Sequence, residues 1–215
     1  MPKACMLLVA AGLTGVVSAA AQADLVIGNL TDPFAGAGQF SSSISRAAVP
    51  FTLGAGFTPA NLSAITLRVA TPGAQAFNIG VSLHANAGGT PGALLADCGV
   101  GAVPVHVFGD VAFTPGASFA LLPNTTYWVV MEHLAGPGEI NWAITTSTTR
   151  DAGSNPAANF ILPLVRANSI DSGQSYFLDT SFGTHMFSVS AIVPSPAGAA
   201  LMWVGGLAAV RRRRA

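Results

Sequence analysis

Short runs in which apolar and polar residues alternate are the feature that most constrains the fold of this chain. The clearest run spans residues 62–70, where Ile65, Leu67 and Val69 alternate with Thr66 and a positively charged neighbour. A second run over residues 77–85 repeats the pattern. Because alternation with a period of two gives a strand one buried face and one exposed face, both runs are predicted to be β-strands.

The rest of the central chain has the same character. Gly, Pro, Asn and Ser separate further short runs that are rich in Val, Ile, Thr and aromatic residues. Additional strands are predicted over residues 25–30, 49–53, 117–122, 126–134, 139–146, 160–165, 176–179 and 186–192. About ten strands at this spacing predict an all-β domain over residues 24–192, a two-sheet antiparallel β-sandwich of jelly-roll-like type.

Two connections between these strands carry specific expectations. The Pro-Asn-Thr segment at residues 123–125 is expected to join strands 117–122 and 126–134 into a pair. Residues 86–92, with two glycines and a Pro-Gly, are expected to form a surface turn. A calcium loop is the alternative at that position, but calcium needs several oxygen ligands, and only Asn86 and Thr90 supply polar side chains there.

The first 23 residues have the features of a secretory signal peptide. Lys3 supplies the positive start, residues 6–17 form an apolar core, and Ala21 and Ala23 occupy the small-residue positions of a cleavage site before Asp24. The apolar core is too short for a lasting membrane span. We therefore expect export, with Asp24 as the first residue of the mature chain.

Residues 193–215 form a separate tail with three successive parts. These are Val193-Pro194-Ser195-Pro196, an uncharged apolar segment over residues 197–210, and the cluster Arg211, Arg212, Arg213 and Arg214. The apolar segment is shorter than the roughly 20 residues with which a helix spans a bilayer. The arginines are expected to stay on the cytoplasmic side of a membrane. A plain, unprocessed membrane anchor is one interpretation of this pattern.

The tail also resembles a PEP-CTERM sorting signal, which bacterial exosortase-type membrane enzymes handle. That family has a Pro-Glu-Pro-like motif, an apolar helix and a basic end. Here Ser195 stands where glutamate is expected, as in Val-Pro-x-Pro variants of the signal. The resemblance implies export machinery and an exosortase-type enzyme as partners. It also implies transient anchoring in the inner membrane and a final place at the cell surface or outside the cell.

The charge of the central domain limits its partners. Between the two ends, residues 24–192 carry four arginines and nine acidic residues, a formal charge of −5. A mildly acidic, charge-poor surface argues against binding to nucleic acid or to anionic membranes. Cys98 is the one cysteine of this region, so it has no partner there for a disulfide and is predicted to be buried.

A second resemblance covers about residues 38–146. Gln39-Phe40, the strand around Leu62, the run from Val81 into Gly89-Thr90-Pro91-Gly92, and the Leu-x-x-x-Thr-x-Tyr-Trp segment that ends at Trp128 follow one order. This order is similar to that of the choice-of-anchor R type domain of exported bacterial proteins. The resemblance implies a β-rich extracellular domain without assigned activity, and it supplies no catalytic residues.

Local motifs for catalysis, metal binding or cofactor binding are absent from the sequence. The four histidines, His84, His106, His133 and His185, have no metal-ligand spacing. Glu132 and Glu139 flank one turn and are the candidates for a carboxylate pair facing across a hairpin, the arrangement that a glycoside hydrolase would need. Two unrelated surface acids are the simpler interpretation. We therefore expect no enzyme and no cofactor.

Trp128 and Trp142 are candidates for stacking on sugar rings if they lie exposed on a sheet face, although the apolar neighbours of Trp128 favour burial. The sequence thus supports first a non-enzymatic exported protein of the cell surface or extracellular matrix, and the PEP-CTERM resemblance implies extracellular polysaccharide as a partner. A carbohydrate-binding module is the alternative, and a hydrolase has the least support.

Overall fold

The computed structural model describes residues 23–134, 138–155, 162–181 and 183–192. These residues form two antiparallel sheets and contain no helix, so none long and apolar enough to cross a membrane occurs among them. The all-β, two-sheet prediction is confirmed. The strands are β1 (Ala23–Gly28), β2 (Gly36–Phe40), β3 (Arg46–Leu53), β4 (Ala60–Ala70), β5 (Asn78–Ala87), β6 (Thr90–Ala102), β7 (Gly109–Phe113), β8 (Ala120–Leu121), β9 (Thr125–His133), β10 (Ile140–Thr145), β11 (Arg166–Ser169), β12 (Phe177–Asp179), β13 (Thr184–His185) and β14 (Phe187–Ile192).

The larger sheet, with eight strands in the described part, is organised around β4. Its order is β1-β14-β4-β10-β13, and β7 and β8 also pair with β4 while β2 pairs with β10. β14 follows β4 as far as the pair Phe187↔Leu67, and β10 then takes over with Trp142↔Val69. Among the described residues, strand β2 pairs with β10 alone, so it forms an edge of this part of the sheet.

The smaller sheet has six described strands in the order β12-β11-β3-β9-β5-β6. The two sheets enclose one apolar core, to which β4 contributes Ile65 and Leu67 and β5 contributes Ile79 and Leu83. The inward and outward faces predicted for β4 and β5 are therefore confirmed. A second, smaller apolar cluster consists of Ala48, Trp128, Val130 and Ala167, with Tyr176 packed against it.

The predicted pairing of residues 117–122 with 126–134 is wrong. Only Ala120–Leu121 is a strand there, and it pairs with β4 in the larger sheet, whereas β9 lies between β3 and β5 in the smaller one. The chain changes sheets at this connection. Asn124 has a φ of 52°, and the Leu122 amide donates to the Tyr127 hydroxyl at 2.9 Å. These features turn the backbone away from a hairpin.

The expected surface turn over residues 86–92 is also shorter than predicted. Strands β5 and β6 form a hairpin whose two-residue loop is Gly88-Gly89, with φ of 64° and 93°. Two successive positive φ values define the type I′ turn that matches strand twist, and glycine adopts them without strain. Thr90 and Pro91 already belong to β6, which the sequence did not predict.

The later strands differ in position from their prediction. Residues 162–165 are not a strand, and β11 begins only at Arg166, while residues 160–161 lie outside the described part. Apolar residues at 162 and 164 alternate there, but the segment leads into the sheet rather than joining it. The strand predicted over 186–192 is confirmed as β14.

The carboxylate of Asp151 stabilises the turn after β1 through hydrogen bonds. Asp151 is buried and accepts hydrogen bonds from the Leu30 amide at 2.8 Å, the Thr31 amide at 2.7 Å and the Thr31 hydroxyl. Its own amide donates to the Gly28 carbonyl. One side chain thus satisfies two backbone donors that would otherwise be left without partners.

Replacing Asp151 with alanine is expected to lower the free energy of unfolding by about 2–3 kcal/mol, because two backbone amides lose a charged acceptor. Chemical denaturation measures the change. The matched control is Asp110→Ala, which removes the partially exposed ion pair with Arg68 and should change stability by less than about 1 kcal/mol. Equal effects of the two substitutions would contradict the stabilising role of Asp151.

Candidate binding cleft

An edge cleft lies between strand β2 of the larger sheet and strands β11 and β12 of the smaller sheet. We use the name edge cleft for two cavities, of 240 Å³ and 380 Å³, that share the lining residues Gly38, Gln39 and Arg166. Strand β2 forms one wall, because its second edge has no strand partner in the described part of the chain. Strand β12, the edge of the smaller sheet, brings Phe177 to the opposite side.

Arg166 lies between the two cavities and is only 8% exposed. Its Nε and Nη2 donate to Asp179 Oδ2 at 3.0 Å and 2.6 Å, across the β11–β12 pair. The pKa of Asp179 lies below its ordinary value, because its carboxylate accepts the Ser181 amide and the Arg166 guanidinium. The charged pair is therefore held in its ionised form at neutral pH.

His185 lies directly beneath the backbone of the edge cleft. The ring is fully buried and stacks on Trp142 with 4.3 Å between ring centroids. A Cβ atom on Gly38 would come within 2.7 Å of His185 Cε1, so the glycine is what lets β2 cover the ring. Burial lowers the pKa of His185 to about 3, and Arg166 acts in the same direction. The imidazole is neutral at physiological pH.

Neither predicted stacking tryptophan presents a ring to solvent. Trp142 is 0% exposed in the main core, and its Nε1 donates to the Met186 carbonyl at 2.8 Å. Trp128 is 2% exposed in the smaller apolar cluster, where Tyr176 packs against the cluster and the indole donates to Asn86 Oδ1. Sugar stacking requires an exposed ring face, and neither tryptophan provides one.

A further cavity, of 330 Å³, lies over strands β5, β6 and β9 and is lined partly by Arg46, Ser82, His84 and Glu132. The Ser82 hydroxyl and His84 Nε2 are 3.0 Å apart, and His84 Nδ1 is 2.8 Å from the Gly92 carbonyl. Since a carbonyl only accepts, Nδ1 carries the proton and Ser82 donates to Nε2. Burial lowers the pKa of His84.

The carboxylate pair proposed for Glu132 and Glu139 is not formed across a hairpin. Glu132 lies on β9 of the smaller sheet and bonds Arg46 at 2.8 Å. Glu139 precedes β10, which belongs to the larger sheet. The two strands that follow one another in sequence are therefore in different sheets, and the turn between them is not a hairpin.

Other predicted groups can be placed briefly. Cys98 is buried as predicted, and burial raises the pKa of its thiol to about 12. No group of three His, Cys, Asp or Glu side chains that could hold a metal ion occurs among the described residues. Asp24 pairs with Ala191 within the β1–β14 ladder, whereas Ala21 and the sorting motif at 193–196 and 211–214 lie outside the described residues.

Sequence reasoning did not find the residues of the edge cleft. Gln39 belongs to the segment that carries the family resemblance, and no local motif marks Arg166, Asn168 or Phe177, which are far from Gln39 along the chain. The pairing β2–β10 places Gln39 in the larger sheet, and the pairing β11–β12 places Asn168 beside Phe177 in the smaller sheet. The packing of the two sheets brings these edges to one side of the molecule. The sequence does contain one signal, a rare arginine between apolar residues.

No family model matches this chain, and no curated protein matches it either.

Proposed function

We propose that this chain is an exported bacterial protein of the cell surface or extracellular matrix, without enzymatic activity. In this proposal residues 1–23 are a signal peptide, residues 24–192 form a jelly-roll-like sandwich, and residues 193–215 are a sorting tail with an apolar helix. Its partners are the export machinery and an exosortase-type enzyme, and the tail holds it in the inner membrane only in transit.

The pairing of β1 with β14 is the observation that carries this proposal. Ala23 pairs with Ile192 and Asp24 with Ala191, so the two ends of the β domain lie side by side. Each end directly adjoins a segment that the sequence marks for removal or sorting. A domain whose two ends emerge together can be held through its tail without disturbing its sheets.

The same pairing sets an order for processing. A protease must bind the chain around Ala23 and Asp24 in an extended form. Once β1 pairs with β14, the backbone of these two residues is already paired with β14 and is no longer available to the protease. Since β14 is the last strand of the described domain, the signal peptide is expected to be cut before the larger sheet is complete.

The proposal predicts where altered chains accumulate in a bacterium that has the sorting enzyme. A chain ending at Ile192 should fold and be released from the inner membrane, because β14 is intact but the tail is missing. A chain with Arg211 to Arg214 replaced by glutamine should lose its defined orientation and be sorted inefficiently. Fractionation followed by immunoblotting measures both. Unchanged sorting of the chain that ends at Ile192 would contradict the role of the tail.

Carbohydrate binding is a second candidate function, and one specific observation favours it. Phe177 at the edge cleft is 54% exposed beside the amide side chain of Asn168. It therefore offers an exposed aromatic ring, which the two buried tryptophans do not. A hydrolase is not proposed, because Glu132 is paired with Arg46 in the smaller sheet and Glu139 precedes a strand of the larger sheet.

A further inference from the structure

We propose that the edge cleft is a binding site for a neutral saccharide, with the ring of Phe177 as the stacking surface and the amide of Asn168 and the hydroxyl of Ser45 as hydrogen-bonding groups. This inference deepens the second candidate function by naming its site and ligand class. It does not depend on how the tail is processed.

The shape of the edge cleft comes from the glycines of β2. Gly36 and Gly38 are two residues apart on a strand, so their Cβ positions lie on the same side. At Gly38 that side is filled by His185, whereas at Gly36 no atom lies within 4 Å. Gly36 lines the 380 Å³ cavity, so the open space beside it is the cavity itself. Its volume falls within the range of small-ligand sites.

The charge of the edge cleft favours an uncharged ligand. Among the described residues that line the two cavities, Arg166 is the charged one, and its guanidinium is bound by Asp179. An anionic ligand would have to compete with the carboxylate of Asp179, which is half-buried, and a cationic ligand would meet the guanidinium. The ion pair of Arg166 and Asp179 instead stabilises the wall between the two cavities.

The polar side chains of the edge cleft suit hydroxyl groups. Asn168 makes no side-chain hydrogen bond within the part of the chain that the structure describes. Its amide carries two donor hydrogens and an acceptor oxygen, and a sugar hydroxyl both donates and accepts. Ser45 adds a hydroxyl to the same cavity, and the unpaired edge of β2 adds backbone groups.

Phe177 supplies the apolar part of the site. It lines the 240 Å³ cavity with Ile170, and both side chains are more than half exposed. The flat ring of an aromatic side chain offers a large apolar surface, which fits the C–H face of a pyranose. An exposed aromatic ring beside the open amide of Asn168 therefore provides both kinds of contact that a sugar needs.

An extended peptide added to the free edge of β2 is the competing ligand. The observations favour a saccharide, because the amide of Asn168 and the ring of Phe177 come from the opposite sheet. A strand added to β2 would use backbone groups mainly, and would not require either side chain.

The test is calorimetric titration of the exported full chain with hexasaccharides of glucose, xylose and mannose, and with an oligoglucuronate and an apolar strand-forming peptide for comparison. We expect at least one neutral hexasaccharide to bind. Phe177→Ala should weaken that binding at least about tenfold. A hexasaccharide is expected to extend past Arg166 into the 380 Å³ cavity, so Gly36→Leu, which fills that cavity, should weaken binding at least about tenfold with an unchanged melting temperature. Phe34→Ala, at a ring that is 56% exposed outside the edge cleft, should leave affinity within about twofold.

Several results would overturn the inference. Failure of every neutral hexasaccharide to bind at millimolar concentration is one, and exclusive binding of the oligoglucuronate or the peptide is another. Equal losses from Phe34→Ala and Phe177→Ala would place the binding elsewhere. Because the titration does not measure location, a failure here leaves the sorting proposal intact, and a failure of sorting leaves the titration meaningful.

Discussion

Replacing Trp142 with alanine is expected to lower the free energy of unfolding by about 3–5 kcal/mol. The indole is fully buried in the main core, and its removal leaves a cavity under the junction where β10 succeeds β14 beside β4. It also removes the stacking partner of His185 and the donor to the Met186 carbonyl. Equilibrium denaturation with urea measures the change.

Two comparisons make the Trp142 prediction specific. Trp142→Phe keeps most of the packing and loses the indole donor, so it should be clearly milder, with a loss of about 1–2 kcal/mol. Val107→Ala, at a strongly exposed position, should be within about 0.5 kcal/mol of the parent. A loss for Trp142→Ala no greater than that for Val107→Ala would contradict the position given to Trp142 in the core.

Stability is expected to fall steeply on acidification below about pH 6.5, and His185 is the main cause. The folded pKa is about 3, against an ordinary value of 6.5. Between these values the unfolded chain binds a proton that the folded chain excludes, so stability rises with pH. This contribution is fully present above pH 6.5 and is lost as the pH falls toward 3. One excluded proton corresponds to about 1.4 kcal/mol per pH unit.

The matched variant for the acid prediction is His185→Leu, which keeps an apolar side chain beside Trp142 but has no titrating group. Its melting temperature is expected to vary less between pH 6.5 and 4 than that of the parent chain. Some slope should remain, because the pKa of His84 is also lowered by burial. Parallel pH profiles for the variant and the parent would show that His185 does not exclude a proton in the folded state.

The fold class could be predicted from alternation, but individual pairings could not. Strands β4 and β5 each bury one face and expose the other, so apolar and polar residues alternate along their sequences. Strand β6 carries glycines and a proline and has register shifts against β5, so the period is broken. Pro123 and Asn124 look like a hairpin turn, and nothing local distinguishes such a turn from a change of sheet.

The edge cleft is formed by residues that are far apart along the chain, so it could not be predicted from the sequence. Gln39 and Phe177 belong to different sheets, and only the closing of both sheets over one core brings them to the same side. Trp128 and Trp142, by contrast, were candidates for sugar stacking because of their residue type alone. Their burial in two separate apolar clusters could not be read from neighbouring residues.

The most direct test of the central proposal is the intact mass of the protein recovered from each cell fraction of a bacterium that has the sorting enzyme. We expect a chain that begins at Asp24, ends near Pro194 and lies outside the inner membrane. A chain that keeps Arg211 to Arg214 and remains in the inner membrane would contradict sorting, and would make the tail a plain anchor.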